Sequence, residues 1–487
     1  MPVNLLPTGI DYLRFLPEIV LSVFGILIMV FEAMMKPEAR RNSLGMLALL
    51  GLALAFCANF WAGAHPGPAF ANMIVVDDYG TFFRGLVLVV GFLCVLTSFS
   101  YLDREKAQGG EYYALILFSI VGQCILATSM DLIMVFVGLE ISSIATYILA
   151  GYLRDDRRNN ESALKYFLLG SFATAFLLYG IAWIYGLMAT TNLEDVRRFL
   201  DHGSRSDIAP GVAMALIFVG LAFKVSVVPF QMWAPDVYQG AAAPVSAFMS
   251  AGPKAAAFAI FFRIFMVSFR PMNGRWIWLV WGCALATMIV GNFAALLQTN
   301  VKRLLGYSSI AHAGYVLVAL TASSQVGVAA AMFYLASYAL MNIGAFAVIS
   351  YVASRNERYV KIEDLAGLGR REPVIAALLA IFVFSLIGVP LTGGFFGKFY
   401  VFQAALNSHL VWLTVLGLLN SAIAAYYYLK IIVAIYMHEP NAATEQLPPP
   451  ALSLRIAIWA SAIGTLILGI FPGTLLSFAS SSAALLR

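Results

Sequence analysis

Stretches of about twenty mostly apolar residues recur about fourteen times along this chain. At a rise of about 1.5 Å per residue, such a stretch matches the roughly 30 Å hydrocarbon core of a bilayer. Inside that core a backbone amide finds a partner only within its own helix or a closed barrel. The recurrence predicts an all-α polytopic membrane protein. Its spans fall near 15–34, 43–63, 81–101, 112–130, 132–153, 162–189, 211–230, 244–268, 275–298, 301–321, 326–353, 373–403, 411–437 and 453–474. Of 487 residues, 61% are hydrophobic and 11% charged, against about 25% charged in a soluble domain. A soluble two-domain enzyme is excluded. The longest connections, 190–210 and 437–452, read as ordinary loops.

The net charge of +5 does not point to nucleic acid, because Lys and Arg gather in alternate short loops, where they set orientation. Lys36, Arg40 and Arg41 follow span 1, Arg104 and Lys106 span 3, and Arg154, Arg157 and Arg158 span 5. Lys302 and Arg303 follow span 9, and Arg355, Arg358, Lys361, Arg370 and Arg371 follow span 11. The opposite loops hold fewer: Arg197, Arg198, Arg205, Arg270 and Arg275. Both termini are therefore expected on the outer face. No cleavable signal peptide is expected, since the first stretch is long enough to span. Cys57, Cys94, Cys124 and Cys283 lie in apolar segments without a CxxC pair, and read as small core residues.

Two spans carry helix breakers at mid-length: Phe223-Lys224-Val225-Ser226-Val227-Val228-Pro229 in span 7, and Gly388-Val389-Pro390-Leu391-Thr392-Gly393-Gly394 in span 12. Proline removes a donor and glycine loosens the helix. Broken helices persist in a bilayer where they line an enclosed polar path. Each break is in the fourth span of a five-span block, spans 4–8 and 9–13. An odd-numbered block repeated once is inverted in the membrane, a transporter signature. The expected organisation is an N-terminal three-helix segment (1–110), a first five-helix repeat (111–270), a second inverted repeat (271–440) and a C-terminal helix (441–487).

Charges inside these spans are the candidate functional groups, since each costs several kcal/mol, about 2.5–3.5 on insertion scales. Glu140 lies about eight residues into span 5, Lys224 beside the span 7 break, Lys254 after Gly252-Pro253 in span 8, and Lys398 past the span 12 break. A desolvated lysine exchanges a proton more readily, and a carboxylate opposes that shift, so a Glu140–Lys224 pair is a tunable proton site. A static ion pair is the plainer reading, and snorkelling the plainer one for Lys398. Lys165 follows Glu161 at i,i+4, the spacing of an ordinary surface pair. His312 is a relay or a satisfied core histidine. Lys430 reads as snorkelling. Tyr307, Ser308, Ser309, Tyr315, Tyr338 and Asn342 either hold water beside this line or hydrogen-bond between helices.

The chain has no phosphate-cradling loop, no second deep histidine for a bis-histidine haem and no metal-ligand cluster. No redox cofactor is expected in it, so an ion gradient or a partner must supply energy.

Three stretches carry a resemblance. They are Glu161 to Gly170; Phe223-Lys224 through Trp233-Ala234-Pro235-Asp236 to Gly240, with Gly252-Pro253-Lys254; and Asn300-Val301-Lys302-Arg303 to His312 and Tyr315. Asp364 to Leu368 and Gly388 to Lys398 extend it. Over nearly its whole length the chain resembles the antiporter-like subunits of NADH:quinone oxidoreductase, respiratory complex I, and among them the subunit N family. A lysine at Lys398, where a glutamate is expected in subunit M, and the lack of subunit L's long lateral helix favour N. The resemblance implies paired roles for Glu140 and Lys224, a connecting role for Lys254, a terminal role for Lys398 and a family role for Lys165. It implies a proton-translocating membrane-arm subunit beside other antiporter-like and small membrane subunits. NAD, FMN, iron–sulfur clusters and quinone are expected on partner subunits. The alternatives are a subunit of a multi-subunit sodium/proton antiporter, which shares the fold, and an inert scaffold.

Overall fold

A computed structural model describes residues 6–36, 41–107, 109–202, 208–445 and 447–484. Arg40, Arg205 and the two chain ends, which entered the orientation argument, lie outside them. Among the described residues, twelve helices are long and apolar enough to cross a membrane, and two apolar helices are shorter. In chain order the architecture runs α1 (Leu16–Met34), α2 (Asn42–Gly63), a hairpin of β1 (Gly67–Ala69) and β2 (Ile74–Val76), α3 (Asp78–Glu105), α4 (Gly110–Thr128), α5 (Leu132–Ala150) and α6 (Arg157–Met188). It continues with α7 (Ile208–Lys224), α8 (Trp233–Gly240), α9 (Ala243–Arg263), α10 (Asn273–Leu296), α11 (Val301–Thr321) and α12 (Gln325–Val352). The last helices of this set are α13 (Pro373–Ile387), α14 (Gly393–Asn407), α15 (Val411–Met437) and α16 (Leu452–Ile470).

A helix apolar on all sides either fills a core or faces lipid, and burial separates the two. The most apolar window of α9 is 100% buried and those of α11 and α12 are 94% buried, whereas α1 reaches 28% and α6 33%. Lys254 and His312 therefore ride on central helices. Close approach depends on small residues: a Cβ at Gly122 of α4 would stand 2.5 Å from the Gly138 carbonyl oxygen and the Ser142 nitrogen of α5.

Both expected breaks are present. α7 ends at Lys224, and the chain turns through Ser226 at φ 63° before α8. α13 ends at Ile387, where Gly388 takes φ 94°, the left-handed conformation that closes a helix without a Cβ penalty. The backbone N–H of Gly394 then donates to Ser385 Oγ at 3.0 Å, joining the two half-helices.

The expected helical membrane fold is present, with one small addition: β1 and β2 pair antiparallel, Gly67 opposite Val76. Two expectations are corrected. The 190–210 connection is no plain loop: Leu193–Asp201 is a helix that buries Leu193 and Val196 and is capped by the Asn192 side chain. A search for twenty-residue apolar runs passes over so short and polar a helix. Cys94 and Cys124 are core residues, but Cys57 is exposed and Cys283 intermediate.

Two buried ion pairs fasten α3 to its neighbours. Arg84 meets Glu18 of α1 at 2.7 Å with both side chains fully buried. Arg263 of α9 grips Asp77, the N-cap of α3, through two nitrogens at 2.9 and 3.0 Å.

Candidate functional site

Lys224 is the last residue of α7, so its backbone lies where that helix leaves carbonyls unpaired. Its ammonium donates to Ser143 Oγ of α5 at 2.8 Å and to Tyr166 OH of α6 at 3.3 Å, with the Tyr147 and Tyr166 rings 5.8 and 5.4 Å away. Trp233 of α8 stacks on Tyr166 at 4.4 Å and donates to the Phe223 carbonyl, closing the break over the lysine. Glu140 lies one turn before Ser143 on the same face of α5. The two charges share a neighbourhood, but the structure gives them no direct ion pair. Glu140 is half-buried, and its Oε1 is buried without a hydrogen-bond partner.

Between this cluster and α9 lies a polar bridge. Ser142, next to Ser143, meets Ser119 Oγ of α4 at 3.2 Å, and Gln123 donates to that hydroxyl at 3.0 Å. Gln123 Oε1 is buried and unpartnered, and lies 2.7 Å from where a Cβ on Gly252 would stand. Gly252 is two residues before Lys254.

Lys254 is buried, and its ammonium donates to Ser309 Oγ at 2.5 Å and to the Ser309 carbonyl at 3.1 Å. Ser309 and His312 are one turn apart on α11. His312 Nδ1 lies 2.6 Å from Tyr334 OH and Nε2 3.2 Å from Tyr428 OH, which also bonds Ser308. Tyr315 stands edge-on to His312, and the Lys398 ammonium sits 5.1 Å from its centroid. Lys398 donates to the Leu386 and Ile387 carbonyls at 3.0 and 2.8 Å, and to Ser421 Oγ at 2.8 Å. It thus caps the C-terminus of α13, where the helix dipole favours a cation. Lys224 is the last residue of its first half-helix, α7, whereas Lys398 belongs to the second half-helix, α14, and reaches back to the last carbonyls of the first, α13.

Lys165 stands apart. It is 40% exposed and pairs with Glu161 at 2.6 Å and with Asp236 at 2.7 Å, while Arg303 meets Asp236 at 2.5 Å. Asp236 lies outside the spanning helices. Burial opposes its ionisation, but the hydrogen bonds from Lys165 and Arg303 outweigh burial and hold its pKa below the ordinary value. Lys430 donates to the Leu296 carbonyl at 3.5 Å beside the Tyr426 ring.

The arrangement can pass protons. A hydroxyl donates and accepts, so Ser309, Tyr334 and Tyr428 can relay between titratable groups. Among the described residues no group of three His, Cys, Asp or Glu could hold a metal. Sequence reasoning missed Ser119, Gln123, Ser142, Ser143, Tyr147, Tyr166, Tyr334, Tyr428 and Ser421. Their signal was a polar side chain in an apolar run, which most membrane helices also show.

This is the architecture of an ion-translocating membrane subunit: broken helices around a central line of buried lysines. Residues 129–424 match the family described as NADH:quinone oxidoreductase/Mrp antiporter, TM. The chain is 60% identical over 487 residues to NADH-quinone oxidoreductase subunit N 1 of Solibacter usitatus, covering all of both chains. It superposes on a chain of respiratory complex I from Thermus thermophilus with bound Aureothin at a TM-score of 0.80 and 34% identity, covering 95% of this chain and 99% of that one. A chain of the Mrp complex from Dietzia sp. DQ12-45-1b gives a TM-score of 0.85 at 22% identity, with 98% of each chain covered, a likeness of fold alone. The chain belongs to the NADH:quinone oxidoreductase/Mrp antiporter family, on its subunit N branch.

Proposed function

We propose that this chain is a proton-translocating membrane-arm subunit of a bacterial NADH:quinone oxidoreductase, in the inner membrane with both termini periplasmic. The observation that carries the reading is the buried line from Lys254 through Ser309 and His312 to Tyr315 and Lys398. Buried cations without carboxylate partners are expensive in a bilayer, and such groups mark ion pathways. Glu140 and Lys224 form the driven end, where a charge shift arriving from neighbouring subunits alters the affinity of Lys224 for its proton. Charges interact strongly at low dielectric, so such a shift reaches across a helix. Lys254 connects, His312 relays and Lys398 releases toward the outer face. Lys165, with Asp236 and Arg303, sits at the inner end. The chain itself carries no redox chemistry in this account; NAD, FMN, iron–sulfur clusters and quinone belong to partner subunits.

The test is gentle detergent purification of the tagged chain from native membranes. Co-purifying NADH oxidation, with flavin and iron–sulfur absorbance, is the expected result. A multi-subunit complex without flavin or NADH oxidation would reassign the same lysines to sodium/proton exchange.

A further inference from the structure

A second lysine–carboxylate pair lies outside this line. Glu357 follows α12 in a short turn, and its Oε2 accepts from Lys302 Nζ at 2.5 Å. Its Oε1 accepts from Tyr101 OH of α3 at 2.9 Å and from the backbone N–H of Ala243, the first residue of α9, at 2.7 Å. Lys302 also donates to the Ala241 carbonyl at 2.5 Å and is fully buried, and Glu357 is 8% exposed. Ser354, Asn356 and Glu357 all take positive φ, 59°, 55° and 47°. Backbone held in that region is unfavourable for residues other than glycine and persists where surroundings impose it. A buried ion pair contributes little net stability against an apolar alternative. Strain and burial together argue that the pair specifies geometry.

The geometry it specifies can be read from the two helices it joins. Lys302 lies seven residues before Ser309 on α11, about 10 Å along the axis, and Ala243 eleven residues before Lys254 on α9, about 16 Å. The helices are thus linked twice, once at their inner ends through Lys302 and Glu357 and once at mid-membrane through Lys254 and Ser309. A single link leaves them free to pivot or slide. A slide of one residue, about 1.5 Å, would stretch the 2.5 Å contact between Lys254 and Ser309 Oγ, and a slide of two residues, about 3 Å, would carry it beyond hydrogen-bond range even where the contact runs across the helix axis.

We infer that Lys302 and Glu357 are a positioning pair, which sets the register of α9 against α11 and so holds Lys254 on Ser309. The inference rests on the proton-path reading above. It is tested in the assembled complex in native membranes by measuring protons translocated per NADH oxidised. Lys302→Met is expected to leave NADH oxidation in place and lower that ratio about tenfold. Lys302→Arg, which keeps a cation with several donors, is expected to regain at least about half of it. Tyr101→Phe removes one hydrogen bond to Glu357 without leaving a charge unpaired, and should lower the ratio about twofold. Normal pumping in Lys302→Met, or equal loss in Lys302→Arg, overturns the inference. Should Lys302→Met fail to assemble, Tyr101→Phe decides, and an unchanged ratio there overturns it. Lys254→Met separates the two levels. If it pumps normally, the proton path fails and the positioning pair with it; if it does not while Lys302→Met does, only the positioning pair falls.

Discussion

At the residue scale, the account turns on what holds each ammonium. Lys254 and Lys398 are held by hydroxyls and carbonyls, which accept hydrogen bonds without fixing a proton as a carboxylate would. Ser309→Ala leaves Lys254 only the backbone carbonyl. It should cost about 1–3 kcal/mol, the penalty for an under-satisfied buried donor, read as a lower thermal midpoint of the purified complex together with slower proton transport. Asp236 gives the pH-dependent case. Its pKa is depressed in the folded chain, so its contribution is present above the ordinary carboxylate value of 3.8 and is lost as pH falls below it. The thermal midpoint of Asp236→Asn should therefore lie below that of the natural chain at pH 7, with the gap closing below about pH 4; a gap constant with pH would contradict this. The charged residues were legible in the sequence because charge in an apolar run is rare. Their partners were not: Ser309 lies 55 positions from Lys254, and Ser143 lies 81 from Lys224. Ser309 was legible as a polar residue beside the line but not as the partner of Lys254, and nothing local distinguishes Ser143 from other serines in the spans.

Among elements, the breaks in the helices were legible and their consequences were not. Pro229, Gly388 and Gly393-Gly394 announced interruptions, but only the folded chain brings Lys398 back onto the last carbonyls of α13. Gly388 can close that helix because it accepts φ 94°. Gly388→Ala should cost about 1–2 kcal/mol from left-handed strain. It should also disturb the Lys398 side chain, whose Cδ lies 3.2 Å from the added Cβ. Thermal unfolding and proton transport should fall together, and a loss of stability with transport untouched would separate the turn from the lysine. The hairpin and the Leu193–Asp201 helix escaped because a search tuned to about twenty apolar residues does not register elements of three or nine.

For the whole molecule, buried helices carry the chemistry and outer helices shield it. The pair Arg263–Asp77 ties α9 to the N-terminal helices. Arg263→Ala should cost about 3–5 kcal/mol, because it leaves a carboxylate largely buried without its partner; the expected observation is less assembled complex in the membrane. The central claim is that Lys254 carries protons between the Lys224 and Lys398 regions. The direct measurement is proton translocation by inverted membrane vesicles holding Lys254→Met, relative to NADH oxidation and to the amount of assembled complex. The account predicts that the chain assembles normally and that protons moved per NADH fall about tenfold, equivalent to about 1.4 kcal/mol in the transport barrier. An unchanged ratio would contradict it.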